Sequence, residues 1–220
     1  MIVVPAAVPR TAPALQRPID ASRRSPVLAG LTIETLPPGA HIEQRPPAGA
    51  ESVTVVLAGR LAAAGRILGP GEALHHAPDS VCRLTALRGA PTAILTVQPV
   101  GAEESVNIPS QPRSSSERMA WRRVAVTSMT LAAGEGHELL RYPASDAFIV
   151  VMSGTGVLLG EYGEVSLFPG DLAYVRAGER HGLRAGPQGP VTALLGRVGC
   201  PDPPTDHLAD SDRPRPCRSH

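Results

Sequence analysis

Apolar residues along the chain come in short, β-branched or alternating stretches that glycine and proline cut apart. "LTIETLPPG", "SVTVVLAGR", "TAILTVQPV", "VAVTSMTLAAGEG", "AFIVVMSGTGVLLG", "EVSLFPGDLAYV" and "PVTALLGRVG" each read as a strand, or as two strands and their turn. Helical periodicity is scarce, and turn signals recur roughly every 8 to 12 residues, which predicts an all-β sandwich or barrel. Between residues 101 and 120, "GAEESVNIPSQPRSSSERMA" is polar and Ser-rich and predicts an interdomain linker. Residues 200–220, "CPDPPTDHLADSDRPRPCRSH", carry proline and charge without core residues and predict a disordered tail. The opening "MIVVPAAVPRTAPALQRP" has no charged region before its apolar start, and prolines interrupt it. Residues 1–26 therefore read as an arm rather than a signal peptide. Two folded regions remain, 27–100 and 121–199.

These two regions repeat each other. Gly39 and Gly59 in the first, and Gly134 and Gly154 in the second, have the same spacing in sequence. Pro70-Gly71-Glu72 in "LGPGEALHHAPDSVCRL" matches Pro169-Gly170-Asp171 in "LFPGDLAYVRAGERHGL". Cys82 and His181 then fall at the same distance past the glycine of their turn. A match at three points is far more specific than any one of its motifs.

Composition narrows the chemistry. With 42% hydrophobic residues and only 3% aromatic, a core must be built from Val, Leu, Ala and Ile. A net charge of +1 argues against electrostatic binding of nucleic acid or an acidic membrane. Every one of the 21 basic residues is arginine, which excludes Schiff-base chemistry and a P-loop lysine. Cys82, Cys200 and Cys217 are odd in number and lack CxxC spacing, so neither a disulfide scaffold nor a cysteine zinc site is expected, and a cytoplasmic location fits. No apolar run approaches the ~20 residues that span a bilayer.

The strand ending "VMSGTG", followed by "FPGDLAYVRAGERH", resembles the cupin family, and the two copies together resemble a bicupin. The resemblance implies two double-stranded β-helix (jelly-roll) barrels, each with an inner face that can form a small-molecule cavity. Metal-bearing cupins share the motifs G-x5-H-x-H-x3,4-E-x6-G and G-x5-P-x-G-x2-H-x3-N, whose histidines and glutamate face the barrel interior. Against that pattern, the second copy places Leu140, Tyr142 and Ala147 at the first three ligand positions and keeps only His181. Asp146 lies one residue out of place and would need a bulge to turn inward; His137 would need a register slip. In the first copy the positions fall on Arg45, Pro47, Ser52 and Cys82, with Glu51 one residue early. No metal and no cofactor are expected, because stable transition-metal sites take at least three protein ligands.

What remains is a cavity in the second barrel, walled by Leu140, Ile149, Val151 and Leu183, with His181 and Tyr142 as its candidate catalytic pair. His181 reads either as a lip histidine bonded to backbone or as a general acid or base. Tyr142 either packs as an aromatic or presents its hydroxyl. Arg176 and Arg184 flank the His181 turn as surface charges or as a fork for a carboxylate, whereas alternation sends Arg141 outward. His75 and His76 point to opposite faces of a strand, Cys82 reads as a small buried thiol, and Trp121 as packing at the seam. The leading function is metal-independent isomerase, cyclase or lyase chemistry on a small molecule, as in a tailoring step of specialised metabolism. Two alternatives stay open, a non-catalytic small-molecule-binding or regulatory bicupin, and a metal-dependent oxygenase or isomerase with displaced ligands. The partner is a small molecule, with no nucleic acid and no membrane, and a homodimer is left open.

Overall fold

The computed structural model describes residues 2–4, 27–46, 48–100, 118–120, 123–137, 139–161 and 163–199. The chain divides into two compact units, an N-terminal one of residues 7–111 and a C-terminal one of residues 112–220 together with 1–6. Every element among the described residues is a strand or a turn, as the alternating pattern predicts. Among the described residues no helix is long and apolar enough to cross a membrane.

The first strand, β1 (Ile2–Val4), belongs to the C-terminal unit. The N-terminal unit contains β2 (Leu28–Leu36), β3 (His41–Gln44), β4 (Ser52–Ala58), β5 (Leu61–Ala63), β6 (Arg66–Leu68), β7 (Ala73–His76), β8 (Cys82–Ala86) and β9 (Thr92–Pro99). They form two antiparallel sheets, β2-β9-β4-β7 and β3-β8-β5-β6. The C-terminal unit contains β10 (Arg118–Ala120), β11 (Val124–Leu131), β12 (Ser145–Ser153), β13 (Gly156–Gly160), β14 (Gly163–Leu167), β15 (Leu172–Val175), β16 (His181–Ala185) and β17 (Val191–Gly199). Its sheets run β1-β15-β12-β17-β11-β10 and β14-β13-β16. Each unit is thus a jelly roll of two sheets enclosing its own core. In the N-terminal unit that core includes Leu36, Val56, Leu61, Leu68, Leu84 and Ile94, and in the C-terminal unit Leu131, Val151, Leu158, Leu167, Leu183 and Val191.

The repeat seen in sequence is a repeat of turns. At Gly69-Pro70-Gly71-Glu72 and at Phe168-Pro169-Gly170-Asp171 the last N–H donates to the first carbonyl, at 3.1 and 2.9 Å. Gly71 and Gly170 take φ of 86° and 89°, the left-handed value that the third position of a type II turn demands, after a proline that presets the second. The acid then closes each turn from its side chain: Gly69 N–H donates to Glu72 Oε2 at 2.6 Å, and Phe168 N–H to Asp171 Oδ2 at 2.8 Å. Gly59 and Gly154 match as well. A Cβ there would stand 2.5 Å from the Pro91 carbonyl oxygen in one copy and 2.0 Å from that of Pro190 in the other.

Several boundaries differ from the sequence reading. Arg118–Ala120 lies within the predicted linker yet pairs with β11, and Ile2–Val4 in the predicted arm pairs with β15. The hairpin of β5 and β6 turns at Ala64-Gly65, where Gly65 takes a φ of 74° and Ala64 a left-handed φ of 49°, a place that Asn or Gly usually fills. Residues 101–117, Trp121 and residues 200–220 lie outside the described residues.

Candidate functional site

The C-terminal unit encloses a cavity of about 320 Å³. Its walls follow from strand register. On the large sheet, Ala125 on β11 pairs with Arg197 on β17, which pairs with Ala147 on β12. One step inward along the same face stand Thr127, Leu195 and Ile149. Alternation puts these two rows toward the interior, and Leu183 of β16 faces them from the other sheet. The positions that metal-bearing cupins fill with three histidines and a glutamate all line the cavity, as Leu140, Tyr142, Ala147 and His181.

The segment before β12 breaks the alternation. Gly136 bridges to Arg184 and Leu140 to His181, so four steps on one side face three on the other. One residue is therefore extra, a bulge. His137, whose N–H donates to the Leu183 carbonyl at 2.7 Å, consequently lines the cavity along with Leu140 and Tyr142. That is the slip the sequence left open.

Asp146 goes the other way. It sits in regular register opposite Val198, so it faces away from the Ala147 side. Its Oδ2 accepts the Tyr174 hydroxyl at 2.7 Å and its Oδ1 the Ala177 N–H at 2.8 Å. The inward turn considered for Asp146 does not occur. Leu140, Ile149 and Leu183 line the cavity, whereas Val151 packs in the apolar core below it. Arg176 is exposed and pairs with Glu179 at 3.4 Å, away from the cavity lining. Arg184 pairs with Glu164 at 2.8 Å, and Arg141 is exposed.

His181 is buried, and its Nδ1 lies 3.1 Å from the Glu179 carbonyl oxygen. A carbonyl only accepts, so Nδ1 carries the hydrogen and Nε2 keeps the lone pair. Burial pushes the imidazole pKa below its usual value, with His137 adding to the effect, while the Glu179 carbonyl opposes it. His181 is therefore neutral at pH 7. Tyr142 lies beside it, with ring centroids 5.6 Å apart at a 48° tilt. The Tyr142 carbonyl accepts the Gly178 N–H at 2.9 Å, which ties the segment to the turn ahead of His181.

The residue that sequence reasoning missed is Arg197. Its guanidinium carbon stands 4.7 Å from the centre of the Tyr142 ring, a cation–π contact within the cavity lining. A period-2 reading of "TALLGRVG" does place Ala193, Leu195 and Arg197 on one face, but nothing in that strand says which face is inside.

In the N-terminal unit the corresponding residues bond to one another. His76 is buried with its Nε2 2.9 Å from Thr54 Oγ1, and Gln44 donates to Thr96 at 3.3 Å. His75 points to the opposite face and meets Glu51 at 2.8 Å. Cys82 is half-buried against the apolar cluster, and burial raises its pKa.

Two jelly rolls, one of them holding a ligand-sized cavity behind a histidine turn, define the class of protein this is. The model of the cupin domain family matches residues 127–195, within the C-terminal unit. Residues 127–195 thus carry a cupin domain. No curated protein matches it. Among solved structures it is similar to AerE from Microcystis aeruginosa, at TM-score 0.63 and 10% identity, covering 84% of this chain and 97% of that one. It is similar also to a cupin 2 conserved barrel domain protein from Leptotrichia buccalis, at TM-score 0.55 and 15% identity over 84% and 97%. The oxalate decarboxylase of Lactobacillus farciminis aligns at TM-score 0.61 and 11% identity over 79% and 77%. At such identities the likeness is one of fold.

The described residues of the cavity do not supply the ligand set that metal-bearing cupins share. Two of its lining residues are imidazoles, the remaining ligand positions are Leu140, Tyr142 and Ala147, and Asp146 faces away. Among the described residues no three His, Cys, Asp or Glu side chains converge.

Proposed function

We propose that the C-terminal barrel is a small-molecule enzyme of isomerase, cyclase or lyase type that works by proton transfer at His181 without a metal. One observation carries the reading: a buried histidine held as the Nδ1–H tautomer beside a cavity. A general base must be neutral and must offer a lone pair, and burial supports the first while the Glu179 carbonyl supports the second. Nε2 takes a proton from a substrate carbon, and the C–H electron pair moves into the adjoining bond system. Return of that proton to the far end of the system completes an isomerisation and restores neutral His181. Loss of a leaving group, which carries the proton away, completes an elimination instead. The negative charge that develops on the substrate faces the Arg197 guanidinium, and a fixed cation there lowers the barrier in a low-dielectric site. The apolar walls at Leu140, Ile149 and Leu183 orient the substrate.

The test is deuterium wash-in, followed by NMR, across a panel of small carbonyl compounds and carboxylic acids in D2O. Chelator-treated protein should catalyse exchange at carbon, and His181→Gln should abolish it. Elemental analysis after growth with added iron, manganese, nickel and zinc belongs to the same experiment. Near one metal per chain, lost in His181→Ala, would overturn the metal-free reading in favour of a displaced ligand set. Retained binding with no exchange for any bound compound would favour a binding module.

A further inference from the structure

The tautomer of His181 rests on one backbone atom, the Glu179 carbonyl oxygen 3.1 Å from Nδ1. Turned away, that carbonyl would no longer favour a proton on Nδ1 over one on Nε2. Glu179 closes a tight turn, Arg176-Ala177-Gly178-Glu179, by donating its N–H to the Arg176 carbonyl at 3.1 Å. Gly178 takes a φ of 83°, as the third position of a type II turn requires. Two further N–H groups of the turn are held from outside it. Gly178 N–H reaches the Tyr142 carbonyl at 2.9 Å, in the bulged segment before β12. Ala177 N–H reaches Asp146 Oδ1 at 2.8 Å. Of these two anchors, Asp146 is the one set in the sheet, on β12 between β15 and β17. Its Oδ2 accepts the Tyr174 hydroxyl at 2.7 Å, and both side chains are buried. That second bond keeps Oδ1 aimed at the turn.

The N-terminal unit has the same turn in Ala77-Pro78-Asp79-Ser80, closed at 3.2 Å, with Asp79 at a φ of 58°. Its second residue is proline, whose ring presets the backbone angle that Ala177 leaves open. Proline has no N–H to anchor. Glu51, at the place of Asp146, pairs with His75 and leaves Oε1 without a hydrogen-bond partner among the described residues. One copy therefore fixes its turn by a covalent ring, and the other by a hydrogen bond to Asp146. The copy that uses the carboxylate is the one with an imidazole after the turn, since Cys82 stands there in the other.

We propose that Asp146 is a positioning residue for His181. It holds the turn at residues 176–179 so that the Glu179 carbonyl keeps the proton on Nδ1 and leaves Nε2 its lone pair. Asp146 acts through the turn, from the face opposite the cavity, and touches no ligand. Its bearing on turnover rests on the reading of His181 as the base, whereas its bearing on the tautomer does not.

The experiment is nitrogen NMR of the histidine rings in isotopically labelled protein at neutral pH, with His181→Gln assigning the signals. Wild-type His181 should show the Nδ1–H form. Asp146→Ala should bring in the Nε2–H form, while Asp146→Asn, which still offers an oxygen to the Ala177 N–H, should keep most of the Nδ1–H form. The double variant Asp146→Ala/Ala177→Pro, which copies the device of the other unit, should restore it. Leu167→Ala, a cavity in the apolar core, destabilises the same unit and should leave the ring as it is. An unchanged ring in Asp146→Ala, an equal change in Leu167→Ala, or no recovery in the double variant would each overturn the proposal. The wild type supplies a measure that needs no variant to fold. Its Ala177 amide should exchange with deuterium as slowly as the amides of β12, and exchange at the rate of an open turn would overturn the proposal too. A tautomer held through Asp146 in a protein that exchanges no substrate proton would leave it standing and defeat the catalytic reading alone.

Discussion

On the inner face of the N-terminal sheet, Gly30 pairs with Gln98 and Ser52 with His76. The matching row of the C-terminal sheet reads Ala125, Arg197, Ala147 and Val175. One step further in, Thr32, Thr96 and Thr54 stand where the other barrel has Thr127, Leu195 and Ile149. The same backbone plan therefore encloses a polar interior in one copy and a mainly apolar cavity in the other. In the N-terminal barrel His76 bonds with Thr54 and Gln44 with Thr96, whereas Ser52 Oγ is buried with no hydrogen-bond partner among the described residues. In the C-terminal barrel Tyr142, His181 and Arg197 stand among apolar walls that include Leu140, Ile149 and Leu183. What separates the two halves is the make-up of these inner rows.

The outer faces carry a second matched pair. Asp146 with Tyr174 and Glu51 with His75 occupy the same places in the two copies, at 2.7 and 2.8 Å. Asp146 also accepts from Ala177 N–H, but the residue three past His75 is Pro78, which has no N–H to give. Glu51 Oε1 is buried with no hydrogen-bond partner among the described residues. The device is complete in the C-terminal barrel and incomplete in the N-terminal one.

The largest expected effect sets His181 against Cys82, the two residues at the same position of the repeat. His181→Gln should lower turnover by about 10²- to 10⁴-fold, or roughly 3 to 5 kcal/mol of barrier, with affinity kept. Cys82→Ala should change neither quantity. Turnover of the wild type should also rise with pH through a His181 pKa lying below its usual value, since the base must be neutral. Equal sensitivity to both variants would mean that the barrels share the work.

Next in size is acid sensitivity of the N-terminal unit. Burial, aided by His75, lowers the His76 pKa to about 4. Falling pH protonates the unfolded chain first, near the ordinary value of about 6.5. The stabilisation is therefore complete above about 6.5 and is lost as pH falls toward 4, by something on the order of 3 kcal/mol. Urea unfolding at pH 7, 5.5 and 4.5 should show the loss, and His76→Gln should flatten it. A His76→Gln profile as steep as the wild type would assign the acid sensitivity elsewhere.

Tyr174→Phe removes the hydroxyl that Asp146 accepts and should cost about 1–3 kcal/mol, the penalty for a buried acceptor left short of a donor. His75→Ala, at a half-buried pair, should cost less. If His75 proved the more expensive of the two, the outer-face devices would not be equivalent. Smallest of all is Arg176→Ala at an exposed ion pair, expected within about 1 kcal/mol in thermal unfolding. A larger loss would move Arg176 from the surface into the folded unit's support.

Much of this architecture could be read without coordinates. Strand class followed from alternation and the duplication from matched glycines and Pro-Gly-acid turns, whereas the jelly-roll form was implied by the resemblance to cupins. Leu140, Tyr142, Ala147 and His181 were aligned from family spacing, and they do stand together at the cavity. Asp146 was harder to place, since its direction depends on a donor twenty-eight residues away in Tyr174. Val151 shares the face of Ile149, yet the core closes over it one row further in.

By itself the sequence determined most of the strands, the Pro-Gly-acid turns and the duplication. Backbone sterics at Gly71 and Gly170, the fixed φ of Pro70 and Pro169, and the two-residue period of a strand are local constraints that any fold must honour. Only the tertiary structure decided which face of each strand looked inward. It placed Arg197 over Tyr142, let His137 into the cavity through a bulge, and turned Asp146 toward Tyr174. Alternation divides a strand's residues into two sets, but it is the closing of the second sheet over the first that tells one set from the other.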